Sequence, residues 1–221
     1  MKLLRSMTDY LSSLKQFSVH VRNMREDVLD SGHRVDFEVG ASLVVSRPNK
    51  LRSERLGYLV EQNFSYDGKT LTLYNASREV YATVPAPGTV EDMLDFACES
   101  LGVEQPVADL VYRNAFPLLM QDVTLAMVVD KEVIAGTKCT HLLFSRPGVD
   151  FQVWVADGGP PLPYKYIVTD TSTAALLAII ATMSDWNVAP VVTDTQFTFV
   201  PPRGAKAIPF LPVGASSASD R

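Results

Sequence analysis

Alternating apolar and polar residues occur in short runs along the chain, and turn residues separate these runs. In the first half, three runs follow one another closely, at residues 44–52, 64–75 and 78–85. Asp67-Gly68, inside the second run, is typical of a two-residue hairpin turn in which both central residues take positive φ. Asn75 predicts a second turn, because its short amide side chain can bond nearby backbone. Three or four antiparallel strands are therefore predicted in close succession.

The flanking segments extend this predicted sheet. Alternation indicates a strand near residues 17–21 and another near 35–45, with a turn at Asp30-Ser31-Gly32 between them. Gly40 predicts an irregularity in the second of these, since a glycine inside a strand often marks a bulge. In the second half, alternating runs predict strands at 124–129, 137–144, 151–156, 164–168, 174–186 and 197–200. The total is roughly ten or eleven strands.

Helical periodicity occurs in two regions. Apolar residues recur at helical spacing over residues 3–16, which predicts an amphipathic helix. A second helix is predicted after Thr89, a good N-cap residue, and its stop is predicted at Gly102. A further helical segment is predicted from Pro106, with a break near Asn114. Because strands and helices do not alternate regularly, the pattern favours an α+β fold with a curved antiparallel sheet and helices across its concave face.

Composition narrows the functional classes. The chain has 221 residues, of which 47% are hydrophobic and 20% are charged, as in ordinary globular proteins. The net charge is −5, and no Lys/Arg cluster interleaves with aromatic residues, which argues against nucleic-acid binding. The longest apolar run, 174–181, is far shorter than the roughly 20 residues of a membrane span. Polar residues such as Thr8 and Asp9 interrupt any signal-peptide core, so a cytoplasmic protein and a chain cut after its signal both remain open.

The chain contains two cysteines, Cys98 and Cys139, whose spacing does not suit a metal site. We expect both to be small buried hydrophobic residues. The alternative is one long-range disulfide, which would indicate an oxidising compartment.

Candidate catalytic residues are dispersed. His20 and His141 occupy polar positions of alternating strands and are expected to be solvated, and His33 lies near a turn. No zinc-binding, nucleophile-elbow or phosphate-loop motif occurs in the sequence. The carboxylate pairs Glu26-Asp27 and Glu91-Asp92 fit a hairpin tip and a first helical turn. The sequence therefore predicts no enzyme activity, no cofactor and no metal site.

A charged stretch, Arg52, Glu54 and Arg55, lies on one predicted strand. One interpretation is a solvated face with cross-strand ion pairs. The other is a polar rim that receives the headgroup of a ligand. The sequence leaves both interpretations open.

A curved sheet covered by helices can bury its apolar face as an ordinary core or leave a cavity for an apolar ligand. Spacing alone favours the ordinary core. If a cavity exists, period-two alternation selects residues of the strands as its lining, and helical spacing selects the residues that face them. These candidate lining residues are Phe37, Leu71, Leu73, Leu125, Met127, Val153 and Val155 from strands, and Leu94, Phe96 and Leu118 from helices. If the face assignment of a strand is shifted by one residue, all of its candidate lining residues lie on the other face of the sheet.

The sequence also contains several longer motifs. They are Arg-Pro-x-Lys-Leu-Arg, Tyr-Asp-Gly-Lys, Leu-Thr-Leu-Tyr-Asn, Val-Tyr-Ala-Thr-Val-Pro-Ala-Pro, Gly-x-x-Cys-x-His-Leu, Ser-Asp-Trp-Asn and Phe-Thr-Phe-x-Pro-Pro-x-Gly-Ala. Through these motifs the chain resembles a family of predicted periplasmic proteins of unknown function, over about residues 7 to 210. That family is similar in turn to the lipoprotein carrier and outer-membrane receptor group (LolA/LolB-like).

The resemblance implies an unclosed β-barrel whose open mouth is plugged by helices over a hydrophobic cavity. It implies one domain at residues 1–211, followed by a tail at 212–221 that is expected to be disordered because it is small and polar. It also implies a periplasmic location. Leu51-Arg52-Ser53 stands where the carriers have an Arg-Phe-x-Trp motif, which argues against lipoprotein transfer itself.

The sequence thus predicts a monomeric envelope protein that binds a hydrophobic small molecule, a lipid or a lipoprotein acyl chain, with peripheral membrane contact and no nucleic acid. The alternative is a protein-interaction or sensor module that uses the same cavity or a sheet edge. An enzyme comes third.

Overall fold

The computed structural model describes residues 1–57, 60–103 and 107–210. The predicted tail at 212–221 and the predicted helix start at Pro106 lie outside the described residues. The helices are α1 (Lys2–Ser13), α2 (Val90–Leu101), α3 (Ala108–Val111) and α4 (Ala115–Met120). The strands are β1 (Gln16–Val28), β2 (Arg34–Ser46), β3 (Lys50–Gly57), β4 (Val60–Tyr66), β5 (Thr70–Asn75), β6 (Val80–Pro85), β7 (Leu125–Ile134), β8 (Thr137–Arg146), β9 (Val149–Ala156), β10 (Pro163–Asp170), β11 (Ala178–Asn187) and β12 (Lys206–Ala207).

The twelve strands form one curved sheet that does not close, in the order β12-β6-β5-β4-β3-β2-β1-β11-β10-β9-β8-β7. All pairs are antiparallel except β12 with β6, which is parallel. The predicted α+β class and curved antiparallel sheet are confirmed. The predicted strand at 197–200 is wrong, because this segment follows a short 3₁₀ turn (Asp194–Gln196) and carries no ladder. The two-residue strand β12 follows instead, and alternation cannot reveal a strand so short.

The hairpin of β1 and β2 is the longest in the sheet, with thirteen residues in each strand. Its pairing runs without a shift from Gln16–Ser46 to Val28–Arg34. Gly40 pairs directly with Arg22, so the predicted irregularity at Gly40 is wrong. The predicted turn is confirmed, since Gly32 N donates to Leu29 O at 2.7 Å.

The hairpin between β4 and β5 is confirmed, although its turn differs from the predicted two-residue type. Three residues, Asp67 to Lys69, connect the strands, and only Gly68 among them has positive φ, at 96°. The Asp67 carboxylate accepts hydrogen bonds from Lys69 N at 2.9 Å and Thr70 N at 2.8 Å. A two-residue turn of the predicted type has two residues with positive φ, whereas here the bonds of the Asp67 side chain to the backbone close the turn with one. Asn75 also behaves as predicted, since its Oδ1 accepts from Arg78 N at 3.0 Å.

Both long helices follow their local signals. Thr89 caps α2 by accepting from Asp92 N at 3.1 Å, and Gly102 ends the helix in the left-handed region. Helix α1 buries Leu4, Met7 and Leu11 on one face. It ends at Ser13 rather than at residue 16, because Gln16 already pairs with Ser46 in the sheet.

One hydrophobic core joins the helices to one face of the sheet. Its members include Met7 of α1, Leu94 of α2 and Leu119 of α4, together with Phe64 of β4 and Val153 of β9. The helices therefore cover the concave face, as predicted.

A C-terminal segment covers part of the opposite face. The Phe199 ring lies 5.4 Å from Tyr74 and 5.3 Å from Tyr81, measured between ring centroids. Because successive residues of a strand alternate sides, these tyrosines lie opposite the core residues Leu71 and Leu73. The segment thus shields the meander from outside and ends in β12 beside β6.

A buried arginine ties the end of β2 to two helices. The Arg47 side chain is 1% exposed and its Nη1 donates to Glu91 Oε1 of α2 at 2.7 Å. Its Nη2 donates to the carbonyl oxygen of Val111 in α3. Burial lowers the pKa of Arg47 from its ordinary value, and the Glu91 carboxylate opposes this effect. The guanidinium therefore fixes α2 and α3 on the sheet.

We expect Arg47→Ala to lower the free energy of unfolding by about 3–5 kcal/mol, because it leaves Glu91 and the Val111 carbonyl without their partner. Urea denaturation measures this change. The matched control is Arg22→Ala, whose ion pair with Glu38 at 3.3 Å is largely exposed, and it should cost about 1 kcal/mol or less. Equal losses in the two variants would contradict the tethering role of Arg47.

Gly68→Ala should lower the free energy of unfolding by about 1–3 kcal/mol, because φ is +96° and the new Cβ would lie 2.5 Å from Asn49 Nδ2. Gly88→Ala is the control, since a Cβ there meets nothing within 4 Å. Thermal unfolding of both variants checks the prediction, and an unchanged melting temperature for Gly68→Ala would refute it.

Candidate functional site

A cavity of about 630 Å³ lies between the concave face of the sheet and the segment that contains α2 and α3. Its size falls within the range of ligand pockets, about 300–1,000 Å³. Strands β1, β2, β3, β10 and β11 form the floor. The apolar part of the wall includes Phe37, Val39, Leu94, Val103, Val168 and Ile179. The polar part consists of Asn23, Arg25, Arg55, Asp109, Tyr112 and Tyr166, and Cys98 also borders the cavity.

Strand register explains why these side chains meet. Asn23 and Arg25 are two residues apart on β1, so they share the face of the buried residues Val19 and Val21. Arg25 pairs with Phe37 of β2 on one side and with Ile179 of β11 on the other. The three central strands therefore place an arginine between two large apolar side chains. Arg25, Phe37 and Ile179 are exposed, so the cavity opens to solvent here.

Two polar groups in the floor have unsatisfied atoms. Asn23 is only 7% exposed, and its Oδ1 has no hydrogen-bond donor among the described residues. Arg55 Nε is likewise buried without an acceptor in the described part of the chain. Burial lowers the pKa of the Arg55 guanidinium from its ordinary value. This end of the cavity therefore carries a positive charge, with one donor (Arg55 Nε) and one acceptor (Asn23 Oδ1) that have no partner among the described residues.

The helix side of the cavity carries the opposite charge. Tyr166 OH donates to Asp109 Oδ2 at 3.3 Å, and burial, together with the Asp109 charge, raises the pKa of Tyr166 well above its ordinary value. Tyr112 OH donates to Asp95 Oδ1 at 2.6 Å. The Asp109 carboxylate is thus held by a tyrosine hydroxyl.

A second, small void adjoins the cavity between the sheet and the helices. Its volume is about 20 Å³, enough for one water, and Asn23, Arg55 and Leu94 line both spaces. The interior beneath α2 and α3 is therefore not completely filled.

The ten residues predicted to line a cavity occupy three kinds of environment. Phe37 and Leu94 line the cavity that the structure contains. Leu71, Val153 and Val155 are fully buried in the core, and Leu73 packs against it.

The remaining four lie elsewhere. Phe96 is half-buried on α2, and Leu118 on α4 is 40% exposed. Leu125 and Met127 of β7 are each 47% exposed. Met127 pairs with Leu143, whereas its neighbour Val128 pairs with the core residue Leu142. The predicted face of β7 is therefore wrong by one residue.

Sequence reasoning missed Asn23 and Arg25 in the cavity floor. The signal was available, because both continue the period-two face of Phe17, Val19 and Val21. Polar residues at the end of an apolar face do not show by alternation alone whether that face continues.

His141 was predicted to be solvated, and this is wrong. It is 7% exposed and stacks on Trp154, with 3.8 Å between ring centroids. Its Nε2 lies 2.8 Å from Gln152 Oε1. Its Nδ1 lies 2.9 Å from Glu132 Oε1, but not in a direction that makes a hydrogen bond. Side chains of the adjacent strands β7 and β9 cover the ring, and alternation within one strand does not reveal such cover.

His20 is exposed, as predicted, and its Nδ1 lies 3.1 Å from Asp185 Oδ2. Ser184 Oγ donates to the same carboxylate oxygen at 2.9 Å. The hydroxyl is therefore bonded to the carboxylate and not to the imidazole, which is not the arrangement of an activated serine. Within the described ranges, no group of three His, Cys, Asp or Glu residues is placed to hold a metal ion.

The cysteines are both free. Cys139 is buried, as expected, and burial raises the pKa of its thiol. Cys98 is exposed at the cavity, so the expectation that both are buried is wrong for this residue. It follows Ala97 on α2, which faces the core, and helical geometry turns the next side chain away.

Solved structures with a similar fold include proteins from several bacteria. An uncharacterized conserved protein from Thermus thermophilus matches 94% of this chain and 97% of its own, with 11% identity and a TM-score of 0.55. LprF from Mycobacterium bovis matches 92% of this chain and 96% of its own, with 14% identity and a TM-score of 0.53. At such identities the likeness shows the fold.

The LolA superfamily protein NE2245 from Nitrosomonas europaea also matches, over 90% of this chain and 96% of its own, with 13% identity and a TM-score of 0.47. No curated protein matches this chain. In the described ranges, the helices are all too short or too polar to cross a membrane.

A family model described as "Predicted periplasmic protein (DUF2092)" matches residues 1–211. The match spans nearly the entire sequence and agrees with the resemblance found in its motifs. The chain therefore belongs to this family of predicted periplasmic proteins.

Proposed function

We propose that this protein binds a hydrophobic ligand, such as a lipid or a lipoprotein acyl chain, in the cavity between the sheet and α2–α3. The observation that carries the proposal is the cavity itself, about 630 Å³ in volume and bordered by Phe37, Leu94 and Ile179. A fully packed core would leave no such space beneath the helices.

The exposed rim supports the same function. Phe37 is 42% exposed and Ile179 is 38% exposed, and both border the cavity. Apolar area left in water is unfavourable by about 25 cal/mol per Å², and an apolar ligand in contact with these side chains would remove that cost. Exposed apolar side chains that cluster at a concave site are typical of ligand-binding grooves.

The volume limits the size of the ligand. A cavity of about 630 Å³ is in the range that holds one drug-sized molecule, and a single long acyl chain is of this size. A ligand with two or three long chains would extend beyond the rim.

We expect Ala108→Trp to abolish saturable binding of N-phenyl-naphthylamine, an uncharged apolar fluorophore. Ala108 lies in α3 on the cavity wall, and an indole there would occupy part of the space. Fluorescence titration measures the binding. Val128→Lys, on the exposed edge strand β7, should bind the probe like the unaltered protein. No saturable binding by the unaltered protein, or equal binding by Ala108→Trp, would disprove the proposal.

Cys98 offers a second test. A thiol reagent should modify one cysteine per folded chain, at Cys98, because Cys139 is buried and its pKa is raised. Saturating N-phenyl-naphthylamine should slow the modification several-fold, since Cys98 borders the cavity. Cys98→Ser should leave the folded chain unmodified. A modification rate that does not change with ligand would place the ligand elsewhere.

A second candidate function is protein binding at the free edge of β7. The strand has ten residues, nine of which are exposed, and among the strands of the described ranges it pairs only with β8. Its exposed apolar side chains include Val128 and Val133. An exposed strand edge can accept a strand from another protein.

The same strand also carries features that protect an edge. Its register shifts between Val128 and Asp130, and Asp130, Lys131 and Glu132 follow directly. Bulges and charges are the usual means of preventing strand addition, so the cavity remains the better-supported site. If β7 binds a partner protein, Val128→Lys should lose partner binding and Ala108→Trp should keep it. Ligand binding in the cavity predicts the opposite, with binding lost in Ala108→Trp and kept in Val128→Lys.

A further inference from the structure

We propose that the cavity selects an anionic amphiphile, whose carboxylate or phosphate group binds Arg25 and Arg55 beside Asn23, while its apolar chain lies along Phe37, Val39 and Ile179. This inference rests on the proposed function, since it names the chemical class of the ligand that the cavity would hold.

All three polar residues line the floor of the cavity. Asn23 and Arg25 are two residues apart on β1, about 6.5 Å along the strand. Arg55 of β3 pairs with Ala41 of β2, which in turn pairs with Val21 of β1. Arg55 therefore lies two strands away from β1 at the level of Val21, two residues along from Asn23 and four from Arg25. Asn23 and Arg55 both border the cavity and the small void beside it, and Arg25 borders the cavity.

The carboxylates next to these arginines are already paired elsewhere. Glu26, which follows Arg25, lies 4.0 Å from Arg34, and Glu54, which precedes Arg55, lies 2.6 Å from Arg52. Alternation along each strand sends these acidic side chains to the opposite face. In the described part of the chain, neither Arg25 nor Arg55 has an ion pair.

An unpaired guanidinium that is partly removed from water is unfavourable unless it gains an anionic partner. Arg47 shows the ordinary solution in this protein: its Nε also lacks an acceptor among the described residues, but its Nη1 binds Glu91 at 2.7 Å. Arg55 has a buried Nε without an acceptor and no carboxylate partner in the described ranges, and it lies in a wall that faces open space. The missing acceptor is therefore expected to come from the ligand.

The donors define the chemistry of that acceptor. A guanidinium presents planar N–H pairs that match the oxygens of a carboxylate or a phosphate. The chain carries a net charge of −5, so two arginines without an ion pair among the described residues make a local positive site on a negatively charged protein. Asp109 lies on the helix side and already accepts from Tyr166 at 3.3 Å. The apolar rim around Arg25 accommodates the tail next to the headgroup.

The test compares ligands that share a tail and differ in the headgroup. Dodecanoate, dodecyl phosphate, dodecanol and dodecyl-trimethylammonium are each titrated, below their micellar concentrations, against N-phenyl-naphthylamine bound to the unaltered protein. We expect the two anions to displace the probe at roughly tenfold or more lower concentration than dodecanol, and the cation to displace it least. Equal displacement by dodecanol and dodecanoate would overturn the proposal.

Variants assign the preference to the two arginines. Arg55→Gln and Arg25→Gln should each weaken dodecanoate and dodecyl phosphate by roughly 10- to 100-fold and leave dodecanol within about twofold. Arg55→Lys should retain part of the preference. Arg22→Gln is the matched control, because Arg22 lies on the opposite face of β1 and pairs with Glu38. Anion affinity that is unchanged in Arg55→Gln and Arg25→Gln would refute the assignment.

Two further arms separate the possible failures. Inorganic phosphate should displace neither the probe nor dodecyl phosphate at comparable concentration, and strong competition by it would indicate a small-anion site and overturn the proposal. If the unaltered protein does not bind N-phenyl-naphthylamine at all, the proposed function itself fails. If the probe binds but headgroup charge has no effect, only the present inference fails.

Stability provides a readout that does not require a ligand. Arg55→Leu should leave the melting temperature of the ligand-free protein unchanged or raise it, because it removes an unpaired charge from a partly dry site. Arg47→Ala should lower it strongly, as described above. A large loss of stability in Arg55→Leu would show that Arg55 is a structural residue and would contradict the proposal.

Discussion

Burial of the concave face of the sheet is the constraint on which the rest of the structure depends. In the described ranges, helices cover one face of the twelve-stranded sheet, two of these helices have only four and six residues, and a cavity remains between sheet and helices. On β1 the buried positions end at Asn23, and on β2 they begin only at Leu43, at the same end of the long hairpin. The helices thus pack against the base of the hairpin, and the cavity lies farther along it, between the sheet and the segment that contains α2 and α3.

Two arginines near this boundary have different roles. Arg47 is buried against Glu91 and the Val111 carbonyl, so its charge is compensated and it holds α2 and α3 on the sheet. Arg55 is half-buried at the cavity without a described partner, so its charge is available. A buried pair stabilises a fold only while both partners remain, whereas an unpaired group in a cavity wall costs stability and favours a ligand that completes it.

The charged stretch on β3 illustrates what a sequence pattern can and cannot separate. Arg52 and Arg55 are three residues apart, so alternation places them on opposite faces of the strand. Arg52 pairs with Glu54 and donates to the carbonyl of Gln196 on the outer side, which fits the interpretation of a solvated face. Arg55 borders the cavity, which fits the interpretation of a polar rim. Each interpretation describes one member of the stretch.

By itself, the sequence determined the α+β class, the succession of hairpins, the Thr89 cap and the Gly102 stop, because these depend on residues close together in the chain. Only the tertiary structure decided which side chains border the cavity. Arg25 meets Phe37 and Ile179 through pairing with two other strands, and His141 is buried by side chains from β7 and β9. Burial at such positions is set by neighbours distant in sequence, and a shift of one residue, as in β7, exchanges the two faces of a strand.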